Sequence, residues 1–108
     1  MATTVPSSIL EPFLAAADAA AASRPEVDAA TARELMAEAA EMVHNSLALD
    51  HLDEHDQQMV VEALAADLTA PDPTEAVRAR AAAPLGEGVR DPEGVRGAYL
   101  VVMQVLGL

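Results

Sequence analysis

The stretch DPEGVRGAYLVVMQVL, residues 91–106, decides the fold class of this chain. It opens with an acid that can cap a helix, a proline suited to the first helical position and a glutamate in the first turn. Valine is common over residues 99–106, which leaves a strand as the rival interpretation, but no other part of the chain could pair with such a strand. The larger apolar residues recur at helical spacing and predict a helix over about 92–107: Val95, Tyr99, Val102, Met103 and Leu106.

Four further helix starts lie upstream. Residues 72–75 repeat the acid–proline arrangement, and Asp50 or Asp53 begins another acidic first turn. Residues 8–11 and 23–26, which begin with Ser8 and Ser23, have the spacing of capping boxes. These starts and the apolar periodicity predict an all-α fold, a compact bundle of four to five helices. The four upstream helices are expected over about residues 8–22, 25–47, 53–68 and 73–83.

The length of 108 residues fits one domain, which we expect to span residues 7–108 after a disordered N-terminus at residues 1–6. Alanine supplies 25 residues, so the predicted core consists of helices that approach closely. Cysteine is absent, which excludes disulfides and thiolate zinc sites. With no leader and no span of about 20 apolar residues, the sequence predicts a cytoplasmic location.

The net charge of −12 is unevenly distributed. Residues 1–75 carry 15 acids against two arginines, whereas residues 76–108 carry three acids against four arginines. This charge disfavours binding to nucleic acid and to an anionic membrane, and it favours a basic protein partner. The four C-terminal arginines either lie back on acids of the second and third helices or leave those acids to a partner: Arg78, Arg80, Arg90 and Arg96.

Glu34, Glu38 and Glu41 form a stripe of like charge on the predicted second helix. The stripe is either a solvated face or a docking surface for a basic partner. No nucleophile–base pair, glycine-rich phosphate loop or basic–aromatic patch can be identified in the sequence. The predicted function is therefore a non-catalytic interaction, regulatory or assembly role. The apolar content of 52% also predicts a homodimer through the last helix or through a seam at near-heptad spacing on the second helix. The residues of this second-helix seam are Ala32, Leu35, Met36, Ala39, Met42, Val43 and Ser46.

All three histidines fall within residues 44–56, together with four carboxylates. One interpretation is a polar junction between helices whose acids serve as caps, and a pH-sensing role is another possibility. The alternative function is metal binding or a metal-dependent activity. His51 and His55, one turn apart if helical, would bind a divalent metal with Asp50 or Glu54 as co-ligand. No other cofactor is predicted.

Overall fold

The computed structural model describes residues 5–83, 85 and 87–108. These residues form five α-helices and no strand. The helices are α1 (Ser7–Ser23), α2 (Ala29–Asn45), α3 (Glu54–Leu68), α4 (Pro73–Ala82) and α5 (Pro92–Leu106). The predicted all-α bundle is therefore confirmed, and the rival strand at 99–106 is wrong because those residues lie within α5.

Aspartate caps begin four of the five helices. In each case the side chain accepts a hydrogen bond from the backbone N–H three residues further on, which satisfies a group that the first turn leaves unpaired. Proline occupies the first turn of α4 and α5, where its missing N–H costs nothing. The caps are Asp28, Asp53, Asp72 and Asp91. Asp72 and Asp91 were predicted, Asp53 was one of two alternatives with Asp50, and Asp28 was missed.

The two predicted capping boxes are wrong. Ser8 lies inside the first turn of α1, which begins after Pro6 and has no side-chain cap. Ser23 ends α1 instead of starting α2, and its hydroxyl donates to the carbonyl of Ala20 at 3.3 Å. A proline two residues after Ser23 disfavours helix at the residue between them, so α2 starts only after Asp28.

All five helices contribute to one cluster of buried side chains. α1 packs on α2 and α3, α4 packs on α3 and α5, and α2 also contacts α5. Buried alanines keep the helix backbones close at these contacts, as the composition predicted. The larger side chains that are buried almost completely come from every helix: Phe13, Val43, Val60, Leu64, Val77, Tyr99 and Val102.

The connection between α2 and α3 begins with a strained residue. Leu47 follows the C-cap of α2 and has φ of 60°, the left-handed region that glycine usually fills at this position. Its side chain is 62% exposed, so no packing compensates the strain. The hydroxyl of Ser46 holds the turn by donating to the carbonyl of Val43 at 2.7 Å and accepting from the N–H of Ala48 at 3.2 Å.

Two predictions concern the N-terminus and the membrane. Of the predicted disordered segment, residues 1–4 lie outside the described residues, while Val5 packs against the core and the carbonyl of Pro6 accepts a hydrogen bond from Leu10 at 2.9 Å. None of the helices in the described ranges combines the length and the apolarity needed to cross a bilayer.

Candidate functional site

α2 carries the three glutamates that the sequence assigns to a partner. The carboxylate of Asp28 starts the helix by accepting from the N–H of Thr31 at 2.9 Å, and this hydrogen bond lowers the pKa of Asp28. Glu34, Glu38 and Glu41 are all exposed on the outer side of α2. Within the described residues, none of the three forms an ion pair. We call these three residues the acidic stripe.

Three of the four arginines of the C-terminal third contact other groups, while Arg78 is exposed and forms no ion pair within the described residues. Arg80 pairs with Asp67 of α3 at 3.0 Å, and Arg90 pairs with Asp53, the cap of α3, at 3.3 Å. The guanidinium of Arg96 lies 3.4 Å from a backbone carbonyl at the end of α4. The sequence left open whether these side chains would lie back on acids of the second and third helices, and Arg80 does so on Asp67 of α3. Their described contacts lie on α3, its cap and α4, so the acidic stripe stays uncovered by them.

An apolar groove runs beside the acidic stripe. Leu35 and Met42 border it on α2, with exposures of 59% and 42%, and the buried side chain of Met36 forms its floor. Glu38, a member of the stripe, also lines it. We call this hollow of about 250 Å³ the α2 groove; its main apolar residues are Leu35, Met36, Met42, Leu68, Leu106 and Leu108.

Helix geometry explains why part of the apolar face of α2 is uncovered. At 3.6 residues per turn, Leu35 and Met42 lie about 100–120° around the helix from Met36, and Glu38 lies roughly 160° from it. The neighbouring helices bury Met36 and Val43 but leave Leu35 and Met42 exposed. The helical periodicity of the sequence places the four apolar residues, Leu35, Met36, Met42 and Val43, on one seam. The width of that seam was the available indication that part of it would remain exposed.

Both candidate metal-binding histidines contact the segment that precedes and begins α5. The Nε2 atom of His51 lies 2.9 Å from the carbonyl oxygen of Gly94, and Nε2 of His55 lies 2.6 Å from that of Gly88. The ring N–H donates in each pair. His51 belongs to the turn before α3 rather than to the helix, so the condition under which the two histidines would stand one helical turn apart is not met.

The predicted co-ligands do not join the histidines in a cluster. Asp50 and Glu54 are exposed, and no group of three His, Cys, Asp or Glu side chains within the described ranges is arranged to hold one metal ion. Glu54 and His55 line an open cleft of about 470 Å³ together with Ser8 of α1. A metal at Nε2 of His55 would have to displace the hydrogen bond to Gly88.

Asp56 is the most buried carboxylate of the histidine-rich junction, with a residue exposure of 1%. Its two oxygens accept separate hydrogen bonds, one from the backbone N–H of Arg90 at 2.9 Å and one from that of Asp91 at 2.8 Å. The side-chain amide of Gln57 donates to the carbonyls of Leu49 and Leu52, each at 2.9 Å. This part of the junction therefore joins α3 to the start of α5 and to the preceding turn.

A partly buried ion pair, Asp67–Arg80, lies near the only tyrosine. The guanidinium of Arg80 donates two hydrogen bonds to the carboxylate of Asp67. Hydrogen bonding to Asp67 raises the pKa of Arg80. Tyr99 is fully buried, and its hydroxyl finds no hydrogen-bond partner among the described residues. Burial raises the pKa of Tyr99 well above its ordinary value, and the nearby negative charge of Asp67 adds to the effect. The hydroxyl therefore stays protonated at neutral pH.

These features differ in what they offer to another molecule. The contacts of the histidine junction and of the Asp67–Arg80 pair are directed inward, to other parts of the chain. The α2 groove and the acidic stripe face outward. Comparison of the chain with protein-family models, with curated proteins and with solved structures finds no match.

Proposed function

We propose that this chain is a non-catalytic module that acts by protein–protein contact, in an interaction, regulatory or assembly role, and that its partner has a basic surface. The observation that carries the proposal is the position of Leu35 and Met42, two exposed apolar side chains beside the acidic stripe. Burial of apolar area supplies affinity at an interface, while complementary charge supplies orientation and rate.

The charge of the chain supports a basic partner. A net charge of −12 on 108 residues creates a field that attracts cations and repels phosphate. The arginine contacts described above leave the acidic stripe available to positive groups of another protein. Steering of this kind raises the association rate and weakens as salt screens the charges.

The test compares two variants of equal net charge. The first replaces Glu34, Glu38 and Glu41 by Gln, and the second replaces three exposed glutamates of other elements: Glu11, Glu26 and Glu62. Proteins captured from lysate by the wild-type chain are purified, and their association rates with all three forms are measured at low and physiological salt. We expect a basic partner whose association slows roughly tenfold with the first variant only. Equal rates for the two variants would refute the proposal.

We also propose that two copies of the chain associate through the outer face of α5. Leu100 and Val101 are exposed there, and residues 94–108 contain no acidic side chain. Pairing through α2 would instead bring two acidic stripes together, which like-charge repulsion opposes. Light scattering coupled to size exclusion should give a dimer that Leu100→Glu dissociates. A mass of about 11 kDa at micromolar concentration for the wild type would contradict dimer formation.

A further inference from the structure

We infer that the α2 groove binds one amphipathic helix of the partner, with an apolar stripe on the helix seated in the groove and arginine or lysine on its flank against the acidic stripe. This inference rests on the proposed function and adds the secondary structure and chemistry of the partner segment. A helix laid into an apolar groove is an established mode of peptide recognition.

The spacing of the exposed side chains fits a helix. Leu35 and Met42 are seven residues apart on α2, which places them two turns or about 10 Å from each other. Apolar residues at positions i, i+3 or i+4, and i+7 of a partner helix repeat over the same length. Leu68, Leu106 and Leu108 supply the opposite wall, so the ligand contacts apolar side chains on two sides.

The groove continues beyond α2. A second hollow of about 220 Å³ shares Leu35, Met36 and Leu68 with the α2 groove and extends to Ala70 and Pro71, in the connection between α3 and α4. The two hollows together form a trough rather than a closed pocket. A trough that continues past one hollow suits an elongated ligand with several apolar anchors better than it suits a small molecule.

A helical ligand is favoured over an extended one by the architecture. One mode of extended-peptide binding adds a strand to a sheet edge, and the described residues include no strand to receive it. A second mode, polyproline recognition, uses grooves lined by aromatic residues, and neither hollow has an aromatic residue in its lining. The side chains around the trough come from helices, from the α1–α2 connection at Arg24, from the α3–α4 connection and from Leu108. Met36 and Met42 are flexible and polarizable, which allows the groove to adapt to the side chains of the bound helix.

The position of the acids specifies the charge of the ligand. Glu38 lines the groove, and Glu34 and Glu41 lie one turn from it on the same outer side of α2. All three acids therefore lie beyond one side of the groove, where they face the flank of a bound helix. Basic residues on that flank complete the contact. A second copy of this chain would add its own excess of acids, so a basic partner is favoured.

The test uses a synthetic peptide of about 18 residues, five helical turns. Its leucines follow the i, i+4, i+7 spacing, and its arginines flank them. The control peptide has the same composition in scrambled order, so that its charge is unchanged and its apolar stripe is lost. Binding is followed by fluorescence anisotropy and by backbone amide shifts in the chain. We expect the patterned peptide to bind at least tenfold more tightly and to shift the amides of Leu35, Met42 and Leu106.

Two single variants provide the matched control in the chain. Leu35→Gln changes the groove, whereas Leu47→Gln changes a leucine of nearly equal exposure outside it, at 62% against 59%. Loss of one buried leucine contact should weaken binding of the patterned peptide roughly tenfold for Leu35→Gln, with no change beyond twofold for Leu47→Gln. Thermal melting of both variants checks that the fold is retained.

The outcomes separate this inference from the proposed function. Equal binding of the two peptides, or insensitivity to Leu35→Gln, would overturn the helix-in-groove inference. The proposed function would still stand if the glutamine triple variant slowed association of the captured partner. In the converse outcome, the patterned peptide binds the groove but the glutamine triple variant leaves the association rate of the captured partner unchanged. That result would refute the proposed function and leave the groove as a peptide site. Dissociation of the peptide-free dimer by Leu35→Gln would identify a second copy as the occupant of the groove and overturn the inference.

Discussion

The carboxylate of Asp56, buried at the start of α3, accepts a hydrogen bond of 2.8 Å from the backbone N–H of Asp91, the residue that caps α5. Its other oxygen accepts from the N–H of Arg90, so one side chain satisfies two backbone groups of the segment before α5. Loss of the carboxylate removes both of these part-buried hydrogen bonds, each of which has a charged acceptor.

We predict that Asp56→Asn lowers the free energy of unfolding by about 3 kcal/mol, since the amide replaces one acceptor by a donor facing a backbone N–H. Urea denaturation measures the loss. The control is Asp50→Asn, an exposed acid of the same junction, for which we expect a change within about 0.5 kcal/mol. A loss below 1 kcal/mol for Asp56→Asn would mean that the contact contributes little.

The histidines are expected to stabilise the junction slightly and to show no response to zinc. His51→Ala and His55→Ala each remove one hydrogen bond to a backbone carbonyl, so each should lower stability by about 1 kcal/mol or less. Thermal melting of the untagged chain with and without Zn²⁺ should give the same Tm. A rise in Tm that the double alanine variant abolishes would establish the alternative metal-binding role.

Removal of the hydroxyl of Tyr99 should be tolerated. Since this group finds no partner among the described residues, its burial costs free energy that phenylalanine would avoid. We expect Tyr99→Phe to leave the free energy of unfolding unchanged or to raise it by up to about 1 kcal/mol. Tyr99→Leu, which opens a cavity, serves as the destabilising control. A clear loss in the phenylalanine variant would reveal a stabilising interaction of the hydroxyl with the Asp67–Arg80 pair.

Leu47→Gly should stabilise the chain by roughly 0.5–1 kcal/mol. Glycine adopts positive φ without the steric cost that a Cβ imposes, and the exposed leucine has no packing to lose. Leu47→Ala is the matched control, because it removes the exposed side chain but keeps the Cβ and thus the strain. Equal stability of the two variants would show that backbone strain at this position is negligible.

Low pH should destabilise the folded chain, in part because two N-cap carboxylates, those of Asp28 and Asp53, become protonated. A hydrogen bond from the N–H of Asp56 lowers the pKa of Asp53, with a further contribution from Arg90, and Thr31 lowers the pKa of Asp28 in the same way. A carboxyl whose pKa is lower in the folded state stabilises that state above the unfolded pKa, and the contribution disappears as pH falls through the folded pKa.

We therefore expect both caps to make their full contribution to the free energy of unfolding above about pH 4 and to lose it as the pH falls below that value. The double variant Asp28→Asn/Asp53→Asn keeps cap acceptors that do not titrate. Denaturation at several pH values between about 2 and 6 should give a shallower dependence for this variant. Identical pH profiles for the variant and the wild type would contradict the prediction.

The features that follow from short stretches of sequence could be predicted. Asp72 and Asp91 each precede a proline, and both capping and the proline preference act within a single helical turn. The start of α2 was misplaced because Ser23 and Asp28 are both good caps, and local rules alone did not choose between them. The conformation of the residues between them decided the choice.

Features that depend on long-range packing could not be predicted. The sequence grouped Asp56 with the histidines as a possible chemical cluster, whereas its partners are backbone groups 34 and 35 residues away. Likewise, periodicity placed Leu35 and Met36 on the same apolar face. Only the extent of the neighbouring helices determines that Met36 is buried and Leu35 remains accessible.

The connection of α5 to the start of α3 has a consequence for the order of folding. Its hydrogen bonds join residues 33 to 43 positions apart, whereas α1–α2 and α3–α4 are contacts between helices adjacent in sequence. Closing a longer loop costs more chain entropy, so we expect contacts between helices adjacent in sequence to form early and the connection of α5 to the start of α3 to form after the rate-limiting step. Substitution of Asp56 should then accelerate unfolding and leave the refolding rate nearly unchanged.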